Sequence, residues 1–158
     1  MKYRPDIDGL RALAVLFVIM YHAGLSLFPS GFVGVDIFFV ISGYLITYLI
    51  YQNLEKGKFS FAHFYKRRLW RLQPAFIIML LITAILTMFF YLPDDLIDYS
   101  RSARKTSLFI ANQFFNRATT GYFAPDSNQL PLLHTWSLSV EWQCYLLLPL
   151  GIWLIHRI

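Results

Sequence analysis

Long runs of apolar residues are the feature that most constrains how this chain folds. Residues 77–92 read IIMLLITAILTMFFYL and residues 144–155 read CYLLLPLGIWLI, with no charged side chain in either run. A helix needs about 20 apolar residues to cross a hydrocarbon core of roughly 30 Å. Neither run alternates apolar and polar residues as the strands of a membrane barrel do. We therefore expect an all-α, polytopic membrane protein.

Four segments are long and apolar enough to be predicted as membrane-spanning helices: residues 10–27, 35–51, 74–92 and 138–155. The composition agrees, because 57% of the residues are hydrophobic, only 15% are charged and the mean hydropathy is +0.49. Soluble domains have about 25% charged residues.

The distribution of Lys and Arg predicts the orientation of these helices, because short loops rich in basic residues stay in the cytoplasm. Lys2 and Arg4 precede the first segment, whereas residues 24–34 contain no basic residue. Six basic residues follow the second segment: Lys56, Lys58, Lys66, Arg67, Arg68 and Arg71. The N-terminus is therefore expected to be cytoplasmic, in a multi-pass protein of the inner (plasma) membrane, with residues 93–137 outside.

The net charge of +5 and the pI of about 9.4 would suit nucleic acid if the basic residues lay on a polar scaffold. They lie between apolar segments instead, so membrane lipid is the expected partner and nucleic acid is not. Cys144 is the single cysteine, so no internal disulfide is expected, and no metal site is predicted.

The long outer segment contains two stretches of different character. Residues 102–115 combine a basic start with an apolar series, and we expect them to lie along the membrane surface. Residues 119–131 contain Gly, Pro, Asp and Asn, which predict a turn-rich approach to the last helix.

Ionisable side chains inside an apolar span are costly, so each is a candidate functional residue. Arg11 and His22 are eleven residues apart in the first segment, which places them on nearly one helix face and roughly 16 Å apart along the axis. A neutral imidazole can act as a base or carry an acyl group, and a guanidinium suits phosphate or carboxylate. The alternative is structural: Arg11 extends to the cytoplasmic headgroups and His22 bonds a neighbouring helix.

Two carboxylates have the same two interpretations. Glu141 shares a helix face with His134 and Ser137 if the last helix begins early, and it could orient or deprotonate another group. Its structural alternative is a carboxylate favoured by the helix dipole. Asp36 follows two glycines at the outer start of the second segment, where its structural role would be a helix cap.

Arg68 and Arg71 are three residues apart, on one face of a helical turn at the cytoplasmic start of the third segment. Guanidinium groups bind phosphate bidentately, so a phosphorylated cofactor is a reasonable ligand. An anchor for anionic lipid would use the same two residues.

Four stretches in order along the chain form a recognisable pattern. DGLRALAVLFVIMYH separates Arg11 from His22 by ten residues, GFVGVDIFFVISGYLI follows, and FYKRRLWRLQPA contains an R-x-x-R segment at Arg68 and Arg71. LLHTWSLSVEWQCYLLLPL is similar to the pattern H-T-W-S-L-x-V-E-x-Q-F-Y, with Cys144 where Phe is common. Together these stretches resemble acyltransferase family 3, and most closely the branch that often has an added C-terminal SGNH-type domain.

The resemblance implies a membrane O-acyltransferase that moves an acyl group, usually acetyl, from cytoplasmic acetyl-CoA to a glycan hydroxyl. The acceptor would be an envelope or exported glycan such as lipopolysaccharide O-antigen or peptidoglycan. His22 is implied as base or acyl relay, Arg11 as its electrostatic partner and Glu141 as an active-site carboxylate. Arg68 and Arg71 are implied as contacts for the phosphates of coenzyme A. Weaker candidates for substrate or structural roles are Asp36, His134, Trp136 and Ser137.

The family's membrane domain has more helices than the four predicted here, so residues 1–158 are expected to be its N-terminal portion, with the later helices and any SGNH domain absent. Other membrane proteins or an SGNH-type protein are accordingly expected partners. Two alternatives stay open. One is a proton or solute carrier that uses His22, Glu141 and Asp36 as a relay; the other is a truncated, non-catalytic membrane fragment.

Overall fold

The computed structural model describes residues 4–25, 29–119 and 130–157, which form helices and no β-strand. The described residues contain six helices: α1 (Pro5–His22), α2 (Val33–Glu55), α3 (Phe61–Phe90), α4 (Pro93–Ser107), α5 (Ala111–Ala118) and α6 (Thr135–Arg157). The chain divides into two compact units, Met1–Phe59 with Leu148–Ile158, and Ser60–Leu147. The predicted all-α fold class is confirmed.

Three of the helices, α2, α3 and α6, are long and apolar enough to cross a membrane. Helix α1 forms where the first span was predicted, but its 18 residues include three charged side chains, Asp6, Asp8 and Arg11. The total of four spans and the cytoplasmic N-terminus therefore stay predictions. Residues 26 and 27 of the first predicted span, and residues 120–129 of the predicted turn-rich stretch, lie outside the described residues.

Helices α1 and α2 approach each other closely because two glycines lie where their backbones meet. A Cβ atom on Gly34 would lie 2.3 Å from the carbonyl oxygen of Ala14, and one on Gly31 would lie 2.3 Å from that of Phe17. Small residues allow membrane helices to approach in this way. Gly43, farther along α2, would meet no atom within 4 Å.

Helix α3 begins 13 residues before the predicted span. The hydroxyl of Ser60 accepts a hydrogen bond from the backbone N–H of His63 at 3.4 Å, which caps the first turn. The third span was predicted to begin at Pro74, which lies inside α3. Arg68 and Arg71 therefore belong to the same helix as the apolar span.

Helices α4 and α5 form a hairpin that doubles back along α3. Phe109, between the two helices, has a positive φ of 54°, and its ring lies 5.0 Å from that of Phe76 and 4.9 Å from that of Trp142. Phe76 precedes the last residue of α3 by fourteen positions, roughly 21 Å along the axis. Residues 102–115, which we expected along the membrane surface, therefore pack against α3 and α6.

Polar side chains of α6 hold the turn of this hairpin. The amide of Gln143 donates to the carbonyl oxygen of Phe109 at 3.0 Å and exchanges two hydrogen bonds with the amide of Asn112, at 3.0 and 3.1 Å. The hydroxyl of Ser139 accepts from the backbone N–H of Ala111 at 3.2 Å. Backbone groups at a helix break need such partners where water is excluded.

Candidate functional site

The predicted site residues fall into two groups, one in each compact unit. Arg11, His22 and Asp36 belong to the unit of α1 and α2. The unit of residues 60–147 contains Arg68, Arg71, Glu141 and the weaker candidates His134, Trp136 and Ser137.

His22 is the last residue of α1, and its side chain is exposed. Its Nδ1 atom lies 2.8 Å from the carbonyl oxygen of Val18. A carbonyl oxygen only accepts hydrogen bonds, so Nδ1 carries the proton, and Nε2 is the basic nitrogen of the neutral ring. The ring of Tyr21 meets the imidazole edge-on with the centroids 5.3 Å apart. The predicted role of His22 as a base requires such a basic nitrogen.

Arg11 contacts α2 and is remote from His22. Its guanidinium carbon lies 5.3 Å from the centroid of the Phe38 ring, a cation–π contact between α1 and α2. The eleven residues that separate Arg11 from His22 on one regular helix keep them roughly 16 Å apart along the axis. An electrostatic effect of Arg11 on His22 would therefore act over a distance rather than through a direct bond.

Asp36 does not cap α2. The N-cap position of this helix is Phe32, and it has no side-chain cap hydrogen bond. Asp36 lies in the first turn of the helix and is exposed. The predicted cap is therefore wrong, and the placement matches the preference of carboxylates for the positive end of the helix dipole.

Arg68 lies between two aromatic rings. Its guanidinium carbon is 5.5 Å from the centroid of Phe64, one turn earlier on α3, and 5.3 Å from the centroid of Tyr145 on α6. Such contacts orient a guanidinium without using its N–H donors. Among the described residues, neither Arg68 nor Arg71 donates a side-chain hydrogen bond or forms an ion pair. Two guanidinium groups one turn apart thus keep donors for a ligand.

Tyr145 connects Arg68 with Glu141. Its hydroxyl donates a hydrogen bond to Oε1 of Glu141, four residues earlier on α6. Glu141 interacts electrostatically with Arg68 without pairing to it, because the ion pairs within the described residues are Arg4–Asp6 and Arg101–Asp98. The structure therefore brings together Arg68, Tyr145 and Glu141, and only Tyr145 was absent from the sequence prediction.

Trp142 adds a hydrogen-bond donor beside this group. Its ring lies 6.2 Å from that of Tyr145, and its side chain is only 5% exposed. Within the described part of the chain, the indole Nε1 is buried and has no hydrogen-bond partner. An unpaired buried donor costs about 1–3 kcal/mol, so this N–H favours a bound acceptor atom.

The weaker candidates lie at the start of α6. The hydroxyl of Ser137 donates to the carbonyl oxygen of His134 at 3.1 Å, so it completes the first turn of the helix. His134 directly precedes the first helical residue, and both His134 and Trp136 are exposed. Sequence reasoning missed Ser139 and Gln143 in the same stretch, although their spacing of four residues places them on one helix face.

These observations define a helical membrane protein with a cluster of arginine, tyrosine and carboxylate on two of its spans. The family model for the acyltransferase domain matches residues 4–158, so the chain belongs to this family, as the resemblance to acyltransferase family 3 indicated.

Two relatives show which members of the family this chain resembles in sequence. The chain is 41% identical over 158 residues to the O-acetyltransferase OatA of Staphylococcus aureus strain NCTC 8325, an alignment that covers 99% of this chain and 26% of the relative. It is 42% identical over 149 residues to the peptidoglycan O-acetyltransferase OatA of Listeria monocytogenes serovar 1/2a, covering 94% of this chain and 24% of the relative. The chain thus spans about a quarter of the length of these relatives. No solved structure matches it.

Proposed function

We propose that this chain is the coenzyme-A-binding part of a plasma-membrane enzyme that transfers acetyl from acetyl-CoA to hydroxyl groups of peptidoglycan. The family and the names of the relatives support an O-acetyltransferase. The peptidoglycan acceptor follows the name of the Listeria relative, in preference to the lipopolysaccharide that the resemblance also allows. Its remaining helices, and an SGNH-type protein or domain, are the proposed partners.

The observation that carries this proposal is the orientation of Arg68 by Phe64 and Tyr145, with Arg71 one turn away. Coenzyme A presents several phosphate oxygens, and guanidinium groups recognise phosphate through paired N–H donors. The donors of Arg68 and Arg71 are unused by the described residues, so the donor set fits the ligand.

The acyl end of the same ligand requires a hydrogen-bond donor and a base. The transfer exchanges a thioester for an oxygen ester, releases the thiol of coenzyme A and requires a base for the proton of the acceptor hydroxyl. The buried indole N–H of Trp142 is a donor for a carbonyl oxygen. Nε2 of His22 is the basic nitrogen that we assign to proton uptake, and Glu141 fixes the phenol of Tyr145.

The test is a binding titration of coenzyme A against the 158-residue chain in lipid nanodiscs. We expect Arg68→Gln and Arg71→Gln each to weaken binding by roughly tenfold or more, because a hydrogen bond to a charged group contributes about 1.5–3 kcal/mol. Arg67→Gln is the matched control, because Arg67 is exposed, adjacent and equally charged. We expect it to change the affinity by less than about threefold.

Nanodiscs with and without anionic lipid separate this role from a lipid anchor. If Arg68 and Arg71 only hold anionic lipid, their variants will lose lipid preference and retain wild-type affinity for coenzyme A. That outcome, or equal losses in all three variants, would overturn the proposal.

A further inference from the structure

A cavity lies at the far end of α3 from Arg68 and Arg71. It has a volume of about 690 Å³ and lies between the end of α3, the two helices of the hairpin and residues 130–131. This volume is within the range of about 300–1,000 Å³ that small-molecule sites occupy. The lining side chains that matter here are Tyr91, Asp95, Asp98, Tyr99, Ser102 and Phe114.

The two carboxylates of this cavity, Asp95 and Asp98, are hydrogen-bond acceptors. Asp95 makes no hydrogen bond or ion pair with any described residue, so both its oxygens are unused. Asp98 binds the guanidinium of Arg101 at 2.9 Å through Oδ1. The buried hydroxyl of Ser102 donates to the carbonyl oxygen of Tyr99 at 2.7 Å and is already satisfied. Recognition in the cavity therefore depends mainly on carboxylates.

The remaining lining is aromatic. The rings of Tyr91, Tyr99 and Phe114 line the cavity beside the carboxylates. Carboxylates accept hydrogen bonds from neighbouring hydroxyl groups, and ring faces cover apolar C–H surface. A sugar presents these two kinds of surface together.

The position of the cavity agrees with such a ligand. Arg68 and Phe90 are 22 residues apart on one helix, roughly 33 Å along its axis, which is about one bilayer thickness. A phosphate ligand at Arg68 and a ligand in this cavity would therefore lie on opposite membrane faces. We propose that the cavity between α3 and the hairpin is the acceptor site and binds a hydroxyl-rich saccharide through Asp95 and the surrounding aromatic rings; this rests on the proposed function.

The test measures binding of chitotetraose, a soluble oligomer of N-acetylglucosamine, to the full chain in nanodiscs by saturation-transfer NMR and calorimetry. We expect Asp95→Asn to weaken binding by roughly tenfold, because the carboxylate supplies charge-assisted hydrogen bonds. Asp94→Asn is the matched control: it removes the same charge from the same first turn of α4, but Asp94 does not line the cavity. It should leave the affinity within about twofold.

Equal affinities of the Asp95 and Asp94 variants, no binding of chitotetraose to the wild-type chain, or binding of Ca²⁺ without saccharide would each overturn the proposal. Failure of the proposed function is distinguishable, because coenzyme A affinity is measured separately. Saccharide binding that depends on Asp95, in a chain that does not bind coenzyme A, would support this site and contradict the proposed function.

Discussion

Substitution of Gly34 by alanine should destabilise the packing of α1 on α2. The new Cβ atom would lie 2.3 Å from the carbonyl oxygen of Ala14 and 2.9 Å from Cγ2 of Val18, whereas ordinary contact begins at 3.4 Å. The nearer atom is backbone, so rotation of a side chain cannot relieve the clash. The two helices would have to separate by roughly 1 Å, and overpacking of this kind costs about 1–3 kcal/mol.

Gly43→Ala is the matched control because Gly43 is in the same helix and a Cβ atom there would meet nothing within 4 Å. Alanine is the better helix former by about 0.5–1 kcal/mol, so this variant should be as stable as the wild type or more stable. The assay is unfolding by SDS in mixed micelles, followed by circular dichroism. The reasoning is refuted if the two alanine variants unfold at the same SDS fraction.

Two further predictions concern other parts of the chain. Gln143→Leu should destabilise the chain by about 1–3 kcal/mol in the same unfolding assay, because the carbonyl oxygen of Phe109 and the amide of Asn112 lose their partner; unchanged stability would contradict the role of Gln143. At the N-terminus, the hydrogen bond from Arg4 lowers the pKa of Asp6 from 3.8 to about 2. The stabilisation from this pair should therefore be constant above pH 5 and be lost as the pH falls from about 4 towards 2. Arg4→Gln should return the pKa of Asp6 towards 3.8 in a carboxyl ¹³C NMR titration, and an unchanged pKa would contradict the pairing.

The long helices could be predicted from the sequence because a helix that crosses a bilayer is surrounded by lipid and must be apolar over about 20 residues. The predicted spans 35–51 and 138–155 lie in α2 and α6, and the span 74–92 lies in α3 except for its last two residues. Helix α3 begins before Pro74 because its first turns are polar and basic, which hydropathy does not detect. Helix α4 was missed because its residues are mostly polar, and its buried Ser102 and Thr106 do not form an apolar pattern.

The site residues were predictable where the residue type itself carries the chemistry. Glu141 is costly inside a span and was identified for that reason. Arg68 and Arg71 were identified because two guanidinium groups one helical turn apart suit phosphate. Tyr145 was missed because a tyrosine in an apolar run is ordinary in membrane helices, and its bond to Glu141 and contact with Arg68 depend on tertiary structure. The cavity at the hairpin was equally hidden, because three helices create it.

The hairpin turn also imposes an order on membrane insertion. The backbone groups of Phe109 and Ala111 find their side-chain partners 34 and 28 residues later, in α6. The chain leaves the ribosome from its N-terminus, so the hairpin is synthesised and delivered before those partners exist. Until Ser139 and Gln143 arrive, this break in the helices can satisfy its backbone only with water or a chaperone. Docking of the hairpin is therefore a late step of biogenesis that waits for the last helix.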